Sequence, residues 1–117
     1  MRAWRWRAWL GTMLCVPLLA ACGAHGTAED VTLAELAARP QAYDGRTVRT
    51  RGTVRAFDAP RHYWLEDADI NRVGLEPMER IAPHLGREVA VTGLFSYARE
   101  RGRRITISDI APFDAPR

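Results

Sequence analysis

The apolar positions of this chain change period along its length, and the changes mark its elements. Thr32-Leu33-Ala34-Glu35 has the form of a capping box, with Thr at N-cap and Glu at N3. Leu33, Leu36 and Ala37 then fall on one face of the helix it opens, which Pro40 is expected to end. Asp44-Gly45 is a turn signal. From Arg46 to Ala56 the period becomes two. Val48, Thr50, Gly52 and Val54 point one way, and Thr47, Arg49, Arg51, Thr53 and Arg55 the other, as in a strand with one buried and one wet face. Asp58-Ala59-Pro60 turns the chain. A second strand is predicted over His62–Glu66, with Tyr63 and Leu65 opposite Trp64, and a third over Ile70–Glu76 after the tight turn Asp67-Ala68-Asp69. Pro77 opens a short helix as its N1 residue, with Met78, Ile81 and Leu85 at helical spacing and Gly86 as its stop. Glu88–Tyr97 and Arg103–Ile110 complete five strands, with Val89, Val91, Gly93 and Phe95 on one face of the fourth and Ile105 and Ile107 inward on the fifth. Pro112 and Pro116 close the tail.

One stretch repeats. Gly45-Arg46-Thr47-Val48 with Gly52 matches Gly86-Arg87-Glu88-Val89 with Gly93 at a constant offset. Two strands entering one barrel in equivalent ways account for it, and so does the frequency of a turn glycine before a valine-rich strand. Gly52 and Gly93 fit places where a long strand bends sharply.

The first 22 residues have a different composition. Met1 to Trp9 carry Arg2, Arg5 and Arg7 and no acid, and Leu10 to Ala21 are apolar apart from Gly11, Thr12 and Pro17. The apolar run falls short of the about 20 residues a membrane span needs. A basic start, a short apolar stretch and a small-residue end describe a secretory signal. Leu19-Ala20-Ala21-Cys22 resembles the lipobox of bacterial lipoproteins. That resemblance implies a signal peptide over residues 1–21, a diacylglyceryl group on the Cys22 thiol, and cleavage in front of it. Residues 22–31 then make a lipidated Cys and short tether, and 32–117 the domain. Gly23 after the cysteine, in place of Asp, implies an outer-membrane address facing the periplasm. The plainer alternative is an ordinary signal cut near Ala21 or Ala24.

The charge supports a neutral domain. The 117 residues carry 17 basic and 14 acidic side chains, a net +3, and every basic residue is Arg. Beyond residue 22 the signs balance, which disfavours a nucleic-acid binder. Only Cys15 and Cys22 are present, so there is no disulfide framework.

The predicted order places a helix between the third and fourth of five strands, the connectivity of an OB-fold barrel. The chain is similar here to small bacterial OB-fold proteins. The resemblance is carried by Tyr43-Asp44-Gly45-Arg46-Thr47-Val48, Gly52-Thr53-Val54, Tyr63-Trp64-Leu65-Glu66-Asp67, Leu85-Gly86-Arg87-Glu88-Val89 and Val91-Thr92-Gly93, within residues 43–111. The fold class expected is therefore mainly β, a five-stranded OB-fold barrel with an N-terminal helix and a short helix between strands three and four.

OB-folds bind on the outer face of their second and third strands. That face would offer Trp64, His62, Arg61 and Arg72, with Arg49, Arg51 and Arg55 nearby on the first strand. Aromatic rings with guanidinium groups suit stacking and anion clamping. In the plainer reading Trp64 covers a barrel end and the arginines are a solvated face. Glu66, Asp67, Asp69, Glu76 and Glu79 in the same region favour that reading. Asp67-x-Asp69-x-Asn71 starts like a calcium loop but has Arg72 and Met78 where Gly and Glu are needed. His25, His62 and His84 lack ligand spacing, Ser96 and Ser108 sit in no nucleophile elbow, and no phosphate loop appears. No metal, cofactor or catalytic residue is expected. The expectation is a membrane-anchored binding module of the cell envelope that engages a protein, or alternatively an oligosaccharide or small anion on the strand 2–3 face.

Overall fold

A computed structural model describes residues 27–113. The signal segment, Cys22 and the end of the tail, including Pro116, lie outside the described residues. The elements are β1 (Glu29–Asp30), α1 (Leu33–Ala38), α2 (Pro40–Tyr43), β2 (Thr47–Asp58), β3 (Arg61–Glu66), β4 (Arg72–Glu76), α3 (Met78–Ile81), a 3₁₀ turn (Ala82–His84), β5 (Glu88–Ala98) and β6 (Gly102–Pro112).

The sheet order β2-β3-β4-β6-β5 closes through a second β2–β5 pairing. Within these five strands all neighbours are antiparallel except β4 and β6, which run parallel. This is a five-stranded OB-fold barrel, with α3 between its third and fourth strands. The alternation read from the sequence sets its inside. Val48, Val54, Leu65, Val73, Val89, Val91, Phe95 and Ile105 are fully buried, and α1 adds Leu33 and Leu36 to the same core. The capping box forms as expected: Thr32 Oγ1 accepts from the Glu35 N–H at 3.1 Å.

The repeated stretch has a geometric meaning. In the β2–β5 ladder Val48 faces Gly93 and Gly52 faces Val89, with Thr50 and Val91 at the centre. The two copies are therefore paired with each other about a local two-fold. Both flanks obey it. The Gly45 N–H donates to the Phe95 carbonyl and the Phe95 N–H to that of Arg46. At the other end the Gly86 N–H donates to the Val54 carbonyl and the Val54 N–H to that of Arg87. Gly45 and Gly86 share a left-handed backbone, φ +86° and +82°.

Gly52 and Gly93 sit where backbone approaches backbone. A Cβ on Gly93 would lie 2.2 Å from the Thr106 carbonyl oxygen, and one on Gly52 2.8 Å from that of Glu66. The β5–β6 register shifts between Thr92 and Gly93. The missing side chain lets the strand bend there and the barrel close.

Several local expectations are corrected. The first helix stops before Pro40 as expected, at Ala38, but Pro40 also begins a second short helix, because a proline fits a first helical turn that needs no N–H. Ile70 belongs to the turn, at φ +65°, and the strand starts at Arg72. Pro77 is the N-cap of α3 rather than N1, and Met78 and Leu85 are 46% exposed, so Ile81 alone of that trio reaches the core. One helical turn can direct only one residue at the barrel. The last strand continues through Pro112. Part of the expected tether is docked. Glu29–Asp30 pair in parallel with Val48–Arg49, Arg46 and Arg49 each hold one of the two carboxylates at 3.0 Å, and the Val31 N–H donates to the Arg49 carbonyl.

Candidate functional site

The outer face of β3 and β4 is built from three registers. Arg55 of β2 faces Trp64, Trp64 faces Gly74 of β4, and Gly74 faces Arg104 of β6. One outward row thus crosses four strands, and its third member has no side chain. Gly74 forms the floor of an open groove of about 380 Å³, lined by Phe57, His62 and Trp64 and by Arg101 and Arg104, with Arg72 over the Trp64 ring and Arg103, in the phase of Ile105, at its edge. A volume of this size lies within the about 300–1,000 Å³ usual for small-molecule sites.

The aromatic wall is a ladder. Phe57 and His62 are directly opposed on β2 and β3, with ring centroids 6.0 Å apart and planes at 55°. His62 and Trp64 are two residues apart on one face of β3, at 5.4 Å and 34°. Phe57 is 56% exposed. The Pro60 carbonyl accepts from His62 Nδ1, 2.8 Å away, which fixes its ring.

Glu66 orients the centre. It accepts from the Trp64 indole N–H at 2.8 Å and from Arg72 Nε at 3.0 Å, with Arg55 at 3.9 Å. The Trp64 hydrogen bond, helped by the Arg72 and Arg55 charges and opposed by burial, holds its carboxyl below the usual range. Arg72 lies 5.0 Å over the Trp64 ring. The indole is thus fixed at its N–H and covered on one face by a cation.

The basic wall is less neutralised. Arg104 reaches Glu76 at 3.6 Å, and Arg103 Nε donates to the Arg72 carbonyl at 3.0 Å. Among the described residues neither Arg101 nor Arg103 has a carboxylate partner. Four guanidinium groups stand against Glu66 and Glu76, so this groove is cationic on a neutral domain.

Of the seven residues singled out from the sequence, Trp64, His62, Arg72 and Arg55 meet here. Arg61 does not. Its odd position places it with Tyr63 on the core side of the strand, where it bonds the Tyr63 hydroxyl at 3.2 Å and pairs with Asp58. Arg49 and Arg51 share the outward phase of β2 but lie away from the groove. At about 3.3 Å per residue, Arg51 is roughly 13 Å from Arg55, and Arg49 farther. Arg49 is spent on Asp30, and Arg51 lies 4.3 Å over the Phe113 ring. These two instead border a separate cavity of about 460 Å³, with Val31, Leu33, Ala90 and Phe113. Phe57, Gly74, Arg101, Arg103 and Arg104 were missed. The visible signal was four arginines within Arg99–Arg104 on a hairpin that flanks the β3–β4 face.

The Asp67 turn is closed on itself. Asp67 Oδ1 accepts from the N–H groups of Asp69 and Asn71, and Oδ2 from the Asn71 amide, each at 2.9 Å. Among the described residues no three His, Cys, Asp or Glu side chains are grouped to hold a metal, and no helix is long and apolar enough to cross a membrane. No protein-family model matches the chain, and no curated protein matches it.

Proposed function

We propose that the chain is a lipid-anchored, extracytoplasmic binding module, held at a bacterial outer membrane through Cys22 and engaging its ligand on the β3–β4 face without catalysing a reaction. The observation that carries the binding half is the groove over Gly74, with a fixed indole on one wall and arginines lacking carboxylate partners on the other. That arrangement favours a small anionic ligand over the protein partner that the composition first pointed to. A flat protein interface gains little from a glycine-floored slot, whereas a small ligand needs one. The anchoring half rests on the lipobox-like Leu19-Ala20-Ala21-Cys22. Two or more acyl chains on one residue make attachment durable. With 29–31 docked on the barrel, residues 23–28 can span at most about 20 Å, so the groove works close to the membrane.

Two measurements test it. The intact mass of the protein purified from membranes is expected to equal residues 22–117 plus acyl groups, and an unacylated chain starting elsewhere refutes the anchor. Trp64 is the sole tryptophan of the processed chain. Its emission is expected to change on titration with the ligand and to stay constant when Gly74→Leu fills the slot. An unaltered response in that variant refutes the face.

A further inference from the structure

The charge and shape of the groove name a ligand class, an inference that rests on the β3–β4 face being the binding site. We propose that the groove takes a sugar phosphate, with the phosphate between Arg101 and Arg104 and the sugar ring against His62 and Trp64. Planar guanidinium groups match phosphate oxygens in pairs, and arginine is weakly hydrated enough to give up its water. Arg101 lacks a carboxylate partner among the described residues, so an incoming phosphate breaks no ion pair there. Arg104 has only the 3.6 Å contact to Glu76 to exchange.

The ring choice follows from the aromatic wall. A nucleobase is held best by a parallel plane. Here the rings step at 55° and 34°, and Arg72 already occupies one face of Trp64. A puckered ring packs its C–H groups into such a step, and its hydroxyls face water and the outer edge of the groove. Gly74 is required because the ring crosses the strand at that point. An added Cβ alone would sit at ordinary distances, 3.4 Å from the Arg103 carbonyl and 3.8 Å from Arg104 Cγ. A larger side chain there occupies the groove rather than the core.

The test is titration of the processed, detergent-solubilised protein with glucose 1-phosphate, glucose, inorganic phosphate, uridine monophosphate and glycerophosphoinositol, followed by Trp64 emission and calorimetry. Glucose 1-phosphate is expected to bind at least tenfold more tightly than glucose or phosphate alone and to weaken as salt rises. Arg101→Ala is expected to cost a further tenfold or more while the melting temperature holds, since that side chain is exposed. Preference for glycerophosphoinositol over glucose 1-phosphate assigns the phosphate to a diester such as a lipid headgroup, and the reverse to a free monoester. Equal binding of glucose and glucose 1-phosphate, or an indifferent Arg101→Ala variant, overturns the phosphate assignment and leaves the face standing. Tighter binding of uridine monophosphate overturns the sugar. Glucose 1-phosphate binding that persists in Gly74→Leu overturns the location and the face together.

Discussion

Replacing Gly93 by alanine should be the most damaging glycine substitution in the domain. The added Cβ would meet the Thr106 carbonyl oxygen at 2.2 Å, the Ile107 Cα at 2.7 Å and the Thr106 carbonyl carbon at 2.8 Å. All three are backbone atoms of β6, so no rotamer change relieves them. Relief requires β5 and β6 to separate where the register shift already bends them. Overpacking typically costs about 1–3 kcal/mol, and a contact this short against backbone belongs at or above the top of that range. For a domain of this size each kcal/mol moves the melting temperature by about 4–8 °C. A fall of at least about 12 °C is expected by thermal circular dichroism. The other glycines give an internal scale. Gly52→Ala meets one backbone oxygen at 2.8 Å and two Leu side chains at 3.0 Å, and is expected to cost about 2 kcal/mol. Gly45→Ala and Gly86→Ala meet nothing within 4 Å but sit at positive φ, for about 1 kcal/mol each. Gly74→Ala has neither problem and should melt within about 0.5 kcal/mol of the parent. A Gly93→Ala protein melting within about 4 °C of the parent, or ranking below Gly45→Ala, refutes the account of how the barrel closes.

Further outcomes follow from the same geometry. Thr32→Ala removes the side-chain cap of α1 and should cost about 1 kcal/mol in urea unfolding. Phe95→Ala empties a fully buried site and should cost about 3–5 kcal/mol. For Asp67, burial pushes the carboxyl up, but hydrogen bonds from the Asn71 side chain and from the backbone of Asn71 and Asp69 outweigh it and leave it below the ordinary 3.8. Its stabilisation is therefore complete above that value and is lost as pH falls through the depressed folded one, so Asp67→Asn should flatten the acid limb of urea melts run from about pH 5 to about pH 2. Glu66→Gln leaves the indole N–H with a neutral acceptor and should shift Trp64 emission without ligand present, and unchanged emission counts against Glu66 as the residue that orients Trp64.

Much of the barrel could be read from local pattern. Alternation named Val48, Val54, Val89, Val91, Phe95 and Ile105 as inward, the capping box located α1, and Gly45 and Gly86 marked the entries to β2 and β5. Such signals work because strand and helix periods span a few residues, so each segment carries its own evidence. The short helices were less legible. α3 is one turn long, and one turn cannot show which of Met78, Ile81 and Leu85 the core will take.

The site depended on what no segment carries alone. Trp64, His62 and Arg72 could be picked out by residue type on a predicted face, yet the same reasoning gathered Arg49, Arg51 and Arg61, which lie elsewhere. Closure of the barrel decided the difference. The antiparallel β3–β4 register sets Trp64 beside Gly74, and the parallel β4–β6 register, across about 30 residues of chain, brings Arg104 to the other side. Alternation says which way a side chain faces but not which residue of another strand stands beside it. That choice comes from the ladder and from the glycines that let strands approach. The sequence thus determined the inside of this protein, and its tertiary structure decided which outward residues share a groove.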